Sequence, residues 1–334
     1  MSMSTIEPGQ QAHPAPEAAA GPATGAWPRA VAGDLAYLRT VLVNVFFAGR
    51  PGAGDRDWVL IDAGIPGQVG AITAAAARRF GPGARPSAII LTHGHFDHVG
   101  SLAALAELWD VPVFAHELEL PYLTGRSPYP APDATVGGGL LALFSWMFPR
   151  GPVDLGDRVH ALPADGSVPS LPGWRWVHTP GHTAGHVALF RDSDRTLIAG
   201  DAFVTTKQES ALAVIEQRQE IHGPPAYYTS DWAAARRSVE ALSALNPEVA
   251  ATGHGVPMAG EPLRAGLRAL LRDFDTVAYP EHGRYARQPA VADATGVISV
   301  PPEPKGISPK LAICVAAGLL TGIALGRLTA GRRR

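Results

Sequence analysis

The sequence predicts a mixed α/β sandwich, two β-sheets face to face with helices on the outer sides. Two observations lead there. Short apolar runs that read as strands fall into two groups, 37–115 and 174–252. Each group is followed by segments with helical spacing of apolar residues. A third observation concerns function: polar metal-ligand residues recur just after the predicted strands.

In chain order, Tyr37–Phe47 is rich in Val, Leu and Phe and reads as a strand. Asp57–Asp62 reads as its partner, with the Gly49–Gly54 stretch as the turn. Ala71–Phe80 reads as a helix and Ser87–Thr92 as a buried strand. A helix is expected from Asp97 to Trp109, with Leu102, Leu105 and Leu108 on one stripe, then a short strand at Pro112–Ala115. Residues 117–156 carry four prolines between 121 and 132 and a triple glycine at 137–139, an irregular insertion. Its apolar stretch Leu140–Phe148 reads either as a core helix or as a lid or wall for an apolar substrate portion. Strands follow at 174–179, 186–191, 196–200 and 248–252. Helices follow at 231–245, capped by Ser230 or Asp231, and at 263–276. The latter carries Arg264, Arg268 and Arg272 one turn apart, more in keeping with a solvated face than an anion site.

The predicted main domain spans 31–298, with 117–156 as its irregular insertion. Residues 1–30 are rich in Ala, Pro, Gly and Gln and read as a disordered arm without a secretory signal. Residues 299–310 hold four prolines and read as a linker. In the segment 311–334, Leu311–Gly326 runs sixteen residues without a charge, and arginines follow at 327 and 332–334. Sixteen is short of the roughly 20 residues of a membrane span. Gly318, Gly322 and Gly326 nevertheless share the four-residue spacing that lets membrane helices approach. Membrane association through 311–326 and a buried terminal helix are both open. The protein is expected in the cytoplasm, on the inner membrane face if the tail attaches it. A net charge of −2 argues against nucleic acid as a partner. The single cysteine, Cys314, excludes an internal disulfide and leaves His, Asp and Glu as metal donors.

The organising stretch is His93-Gly-His95-Phe-Asp97-His98, three imidazoles and a carboxylate in six residues. Imidazole nitrogen and carboxylate oxygen suit borderline divalent ions. His93 and His95, two apart at the end of an extended run, project to one side. Asp97 and His98 fall where the chain turns helical. Further donors follow strands elsewhere, each after a glycine: His182 in Thr-Pro-Gly-His, Asp201 in Ala-Gly-Asp and His254 in Thr-Gly-His. His116 and His186 read as structural or ligand-orienting groups.

These motifs, in this order and with Asp62 in Leu-Ile-Asp-Ala-Gly before them, resemble the metallo-β-lactamase superfamily over roughly 37–260. The resemblance implies an α+β fold, a four-layer αββα sandwich of two mixed sheets. It implies a dinuclear site with His93, His95 and His182 on one ion, Asp97, His98 and His254 on the other, and Asp201 bridging. The cofactors expected are two divalent ions, taken as Zn2+. A hydroxide shared by the ions would cleave a small ester, thioester or lactone, with Asp97 and Asp201 as the catalytic carboxylates. The substrate is expected to be a small molecule with an apolar portion. Alternatives are a phosphodiesterase or nuclease of the same superfamily, a β-lactam hydrolase, and a non-catalytic membrane-associated binding module.

Overall fold

The computed structural model describes residues 28–303. The expected N-terminal arm up to residue 27, the linker beyond residue 303 and the whole of 311–334 lie outside the described residues.

Two sheets form the centre. The first runs β1 (Arg29–Ala32), β2 (Leu35–Thr40), β3 (Val43–Ala48), β4 (Val59–Ile61), β5 (Ala88–Ile90), β6 (Val113–Ala115) and β7 (Val159–Ala161), side by side in chain order. Pairing is antiparallel up to β4 and parallel from β4 to β7. The second holds β8 (Trp174–His178), β9 (Val187–Arg191), β10 (Thr196–Gly200), β11 (Val249–Thr252) and β12 (Met258–Ala259), in the order β12-β11-β10-β9-β8. Here only the β10–β11 pair is parallel. A separate ribbon joins β13 (Val291–Asp293) to β14 (Gly296–Ser299). The helices are α1 (Val69–Phe80), α2 (Phe96–Val99), α3 (Leu102–Trp109), α4 (Leu120–Leu123), α5 (Leu140–Leu143), α6 (Ala211–Glu216), α7 (Trp232–Ala244), α8 (Gly260–Arg272) and α9 (Phe274–Val277).

Alternation along the strands builds the layers. Val45 and Phe47 of β3, with Leu60 and Ile89, face outward onto Ile72 and Phe80 of α1 and Leu102 and Leu105 of α3. Phe46, Ile61 and Ile90 face inward, against Val187, Leu189, Ile198 and Ala251 of the second sheet. That sheet buries Phe190, Leu197 and Ala250 under Trp232 and Val239 of α7 and Leu263 and Leu267 of α8. The result is the four-layer αββα arrangement.

Three expected elements differ in detail. The strand expected over 37–47 is two strands and a tight turn, because Val41 takes a left-handed φ of 69°. The helix expected over 97–109 breaks between α2 and α3. Gly100 lies so close to Ile65 and Pro66 that a Cβ there would collide, and the Ser101 hydroxyl donates to the Ile65 carbonyl at 2.8 Å. The helix expected over 263–276 ends at Arg272 and resumes as α9. Asp231, not Ser230, caps α7 by accepting from the Ala234 N–H. The α8 arginines pair with Glu248, Glu261 and Asp273, as a solvated face does.

The stretch 140–148 is a surface wall and not a core helix. Leu140 and Met147 are 58% and 56% exposed, while Phe148 turns inward against Phe96 and Tyr228. The excursion that carries it is closed at its base. Gly125 N–H donates to Val153, Val153 N–H to Tyr122 and Leu155 N–H to Leu123.

Asn44 ties the two sheets at the rim where the predicted ligands gather. Its side-chain amide donates to the Thr252 and Gly255 carbonyls at 2.9 and 2.7 Å, and its backbone N–H to Gly253 at 2.7 Å. Replacing it by alanine strands two buried carbonyls on either side of His254. Asn44→Ala should cost about 2–4 kcal/mol, read as a lower urea midpoint with unchanged slope. An unmoved midpoint would show that this tie contributes nothing.

Candidate metal centre

The donors named from sequence meet at one rim. His93 and His95 leave the end of β5, and Asp97 and His98 lie on α2. His182 comes from the β8–β9 loop, Asp201 follows β10 and His254 follows β11. His93, His95 and His182 offer ligand atoms within 4.8 Å of one another. So do His93, His98 and Asp201, and so do Asp97, His98 and His254. The shared members His93 and His98 join the three groups into one cluster.

The glycines before the donors have a steric purpose. A Cβ on Gly253 would strike the Asp201 carboxylate and His98. Gly200 has φ +51°, and a Cβ there would meet His186 Nε2 at 2.6 Å. Only glycine lets these backbones approach the cluster so closely.

Surrounding groups aim each donor. His254 Nδ1 donates to the Leu42 carbonyl at 2.8 Å, which leaves Nε2 facing Asp201 at 3.1 Å. Asp62 accepts from the Thr92 N–H and hydroxyl and bonds His98 Nδ1 at 2.8 Å, so His98 Nε2 points inward. His182 Nδ1 lies 3.2 Å from the Thr229 hydroxyl. His186 stays outside the donor set: its Nε2 accepts from the Asp201 N–H at 2.9 Å, so it positions Asp201. His116 lies away from the cluster, stacked on His178, and caps the turn at 117–119.

The cluster has the signature of a cation site. Nε2 of His93, Nε2 of His98 and Oδ1 of Asp201 are buried without a hydrogen-bond partner among the described residues. Such orphaned buried polar atoms are costly unless a partner completes them, and a cation would complete all three once His98 is deprotonated. His95 Nδ1 and His182 Nε2 approach to 2.9 Å, with the tautomer deciding which of them carries a proton. All seven donors are at least nine-tenths buried, and Asp97 is the least so at 8% exposed.

Burial keeps the first group neutral. It lowers His93 and His95 well below the ordinary histidine range and His182 to about 3, helped in each case by neighbouring histidines. Burial also opposes charge on His98, but Asp201 and Asp62 lift it well above that range. At His254 burial is again outweighed, by Asp201 and then Asp97, so its value rises. The Asp201 carboxyl, which burial alone would raise, is held well below the carboxylate range by His254 and His98.

One organising residue had gone unread in the sequence. Glu119, fully buried, accepts from the Gly94 N–H between His93 and His95 and from the Tyr129 hydroxyl. Its other oxygen accepts from the Thr183 hydroxyl at 2.6 Å and the Gly185 N–H at 3.0 Å, just after His182. One carboxylate thus joins both loops of the three-histidine group. Its placement just after a strand, in His-Glu-Leu-Glu, was the available signal. Tyr228, stacked on His95 at 4.2 Å, left no such signal.

A four-layer sandwich with these donors at its rim defines the class, a metal-dependent hydrolase. The profile of the metallo-β-lactamase superfamily matches residues 38–254, and the chain belongs to that superfamily. It is 47% identical over 240 residues to a probable metallo-hydrolase, YflN, of Bacillus subtilis, covering 72% of this chain and 90% of that one. A hydroxyacylglutathione hydrolase of Xanthomonas axonopodis is 30% identical over 154 residues, 45% of this chain and 43% of its own. Among solved structures, a β-lactamase domain protein of Burkholderia ambifaria superimposes with a TM-score of 0.54 at 21% identity, covering 78% and 80% of the two chains. At that identity the likeness speaks for the fold alone.

Two predictions follow from this geometry. Metal uptake by the metal-free chain near neutral pH should release protons, because His98 and His254 must lose theirs to coordinate. Since their values are raised, acid should weaken uptake; buffer-dependent calorimetry and metal content at roughly pH 5 and 7 test this. Equal uptake at both would contradict the charge assignment. Glu119→Gln replaces one of the two accepting oxygens by an amide NH2, which faces two of the four donors. It should weaken the three-histidine group about 10–100-fold in a chelator competition and spare the other half. Unchanged affinity in both halves would remove Glu119 from its positioning role.

Proposed function

We propose that this protein hydrolyses a small ester, thioester or lactone with an apolar acyl portion, at a centre for two divalent ions, zinc in the first instance. His93, His95 and His182 would hold one ion and Asp97, His98 and His254 the other, with Asp201 between. When bound, such ions supply water activation near neutral pH and polarisation of a carbonyl oxygen. The single observation that carries this reading is two donor groups side by side against a wall of aromatic rings.

The remaining work falls to the chain itself. Asp97, the donor nearest solvent, has its Oδ2 3.4 Å from His254 Nε2 and its carboxyl raised by burial. It is placed to orient the attacking water and take up its proton. The Tyr129 hydroxyl donates to Glu119 and the Tyr228 hydroxyl to the Pro149 carbonyl at 3.1 Å. With both hydroxyls committed, these residues offer ring faces, which suit an acyl chain. Tyr129, Tyr228, His95 and His182 line a small cavity with Ala290 and Ala292. The likeness to a hydroxyacylglutathione hydrolase supports thioesters as the first class to try. No surplus of basic residues favours a phosphodiester backbone: the net charge is −2.

Asp201→Ala should lower metal content in both halves and abolish hydrolysis across a panel of thioesters, lactones and acyl esters. Full activity with one ion per chain would end the two-ion reading. Turnover of a bis-aryl phosphodiester without any thioester or lactone would replace the substrate assignment.

A further inference from the structure

Exposed apolar side chains gather around this site. Of the eleven large hydrophobic residues exposed among the described residues, six lie on three neighbouring segments at its mouth. Leu212 and Ile215, one turn apart on α6, are 59% and 73% exposed, and Leu140 and Met147 lie on the wall. Trp146 completes the wall, and Val41 stands at the tip of the β2–β3 turn. Scattered exposed hydrophobics are ordinary, but a grouping around one opening is not.

The segments are stitched together and to the donors. Leu141 N–H donates to the Glu209 carbonyl, just ahead of α6. The Arg39 guanidinium donates to the Val214 carbonyl, joining α6 to the β2–β3 turn. That turn supplies the Leu42 carbonyl under His254, and the wall supplies Phe148 against Tyr228, the ring on His95.

The route of the chain beyond residue 303 points to the occupant. Glu303 pairs with Arg284, whose N–H binds the Asp133 carboxylate. Asp133 caps the 134–136 turn that leads into the wall. The chain therefore leaves the described fold beside the rim. Eight residues further on, within about 25–29 Å at full extension, begins Leu311–Gly326 with its sixteen uncharged residues and the arginines after it.

We propose that this rim docks on a lipid bilayer, that residues 311–326 insert into the same bilayer, and that acyl substrates reach the donors from the lipid. The substrate part rests on the hydrolase reading above; the docking part does not. A rim pressed onto lipid adds apolar contact to a tail too short for an ordinary span.

The test uses the full chain with phosphatidylcholine vesicles. Vesicles should slow amide exchange at 140–147 and 211–216, and the Leu212→Glu/Ile215→Glu pair should weaken flotation about tenfold or more. The pair should hydrolyse a water-soluble short-chain ester as the wild type does, and a vesicle-borne long-chain ester more slowly. Protection confined to 311–326, with the pair floating like wild type, overturns the proposal in favour of a simple tether. Exchange at 211–216 already slow without lipid overturns it in favour of the tail or, if concentration-dependent, a second copy as the cover. Flotation and protection as expected, with no ester turned over by the wild type, upholds docking and removes the hydrolase reading instead.

Discussion

The contact on which the site depends is the Asp201 carboxylate set among three imidazoles. Its oxygens lie 3.1 Å from His254, 3.5 Å from His182 and 3.6 Å from His98. Those histidines come from different segments: His98 lies on α2, which follows β5 of the first sheet, while the other two follow strands of the second. Asp201 is therefore where two half-sites become one. Its backbone is held by His186, and the chain before and opposite it must be glycine, so sterics and charge fix the same position.

The second sphere divides the labour. Asp62, His186, Thr229 and the Leu42 carbonyl each aim one donor, whereas Glu119 governs two loops at once. Asn44 then ties the His254 loop to the first sheet. Buried polar side chains at this density are tolerated because most of their atoms have partners, and three of those left over, His93 Nε2, His98 Nε2 and Asp201 Oδ1, belong to the donor cluster itself.

The sequence disclosed the donors because metal chemistry leaves a dense local mark. Three histidines within six residues cannot be read as packing, and the glycine before each distant donor marks a backbone pressed against its neighbours. Layer order was also legible, since β3, β4 and β5 alternate or run apolar in a way that strands require. What stayed hidden depends on contacts far apart in the chain. Glu119 reaches Gly185 across 66 positions and Asn44 reaches Gly255 across 211, and no spacing rule joins such pairs. The split of the helix expected at 97–109 came from Pro66 lying against Gly100, again a tertiary fact. The wall at 140–148 was ambiguous because nine mostly apolar residues suit a core and a rim equally well; burial alone separates them.

The excursion from Arg126 to Pro152 leaves and rejoins the fold through adjacent backbone pairs at 122–125 and 153–155. Such a pinched neck makes the segment an exchangeable cassette. Its length and side chains can drift, or be swapped by design, while the strands that carry the donors keep their register. Several elements do not travel freely: Tyr129 bonds Glu119 and packs on His95, Asp133 accepts from the Arg284 N–H, and Leu141 N–H donates to Glu209. A graft that keeps the tyrosine at 129 keeps the bond to Glu119 and the packing on His95, and one that omits it loses the segment's direct contact with the donors.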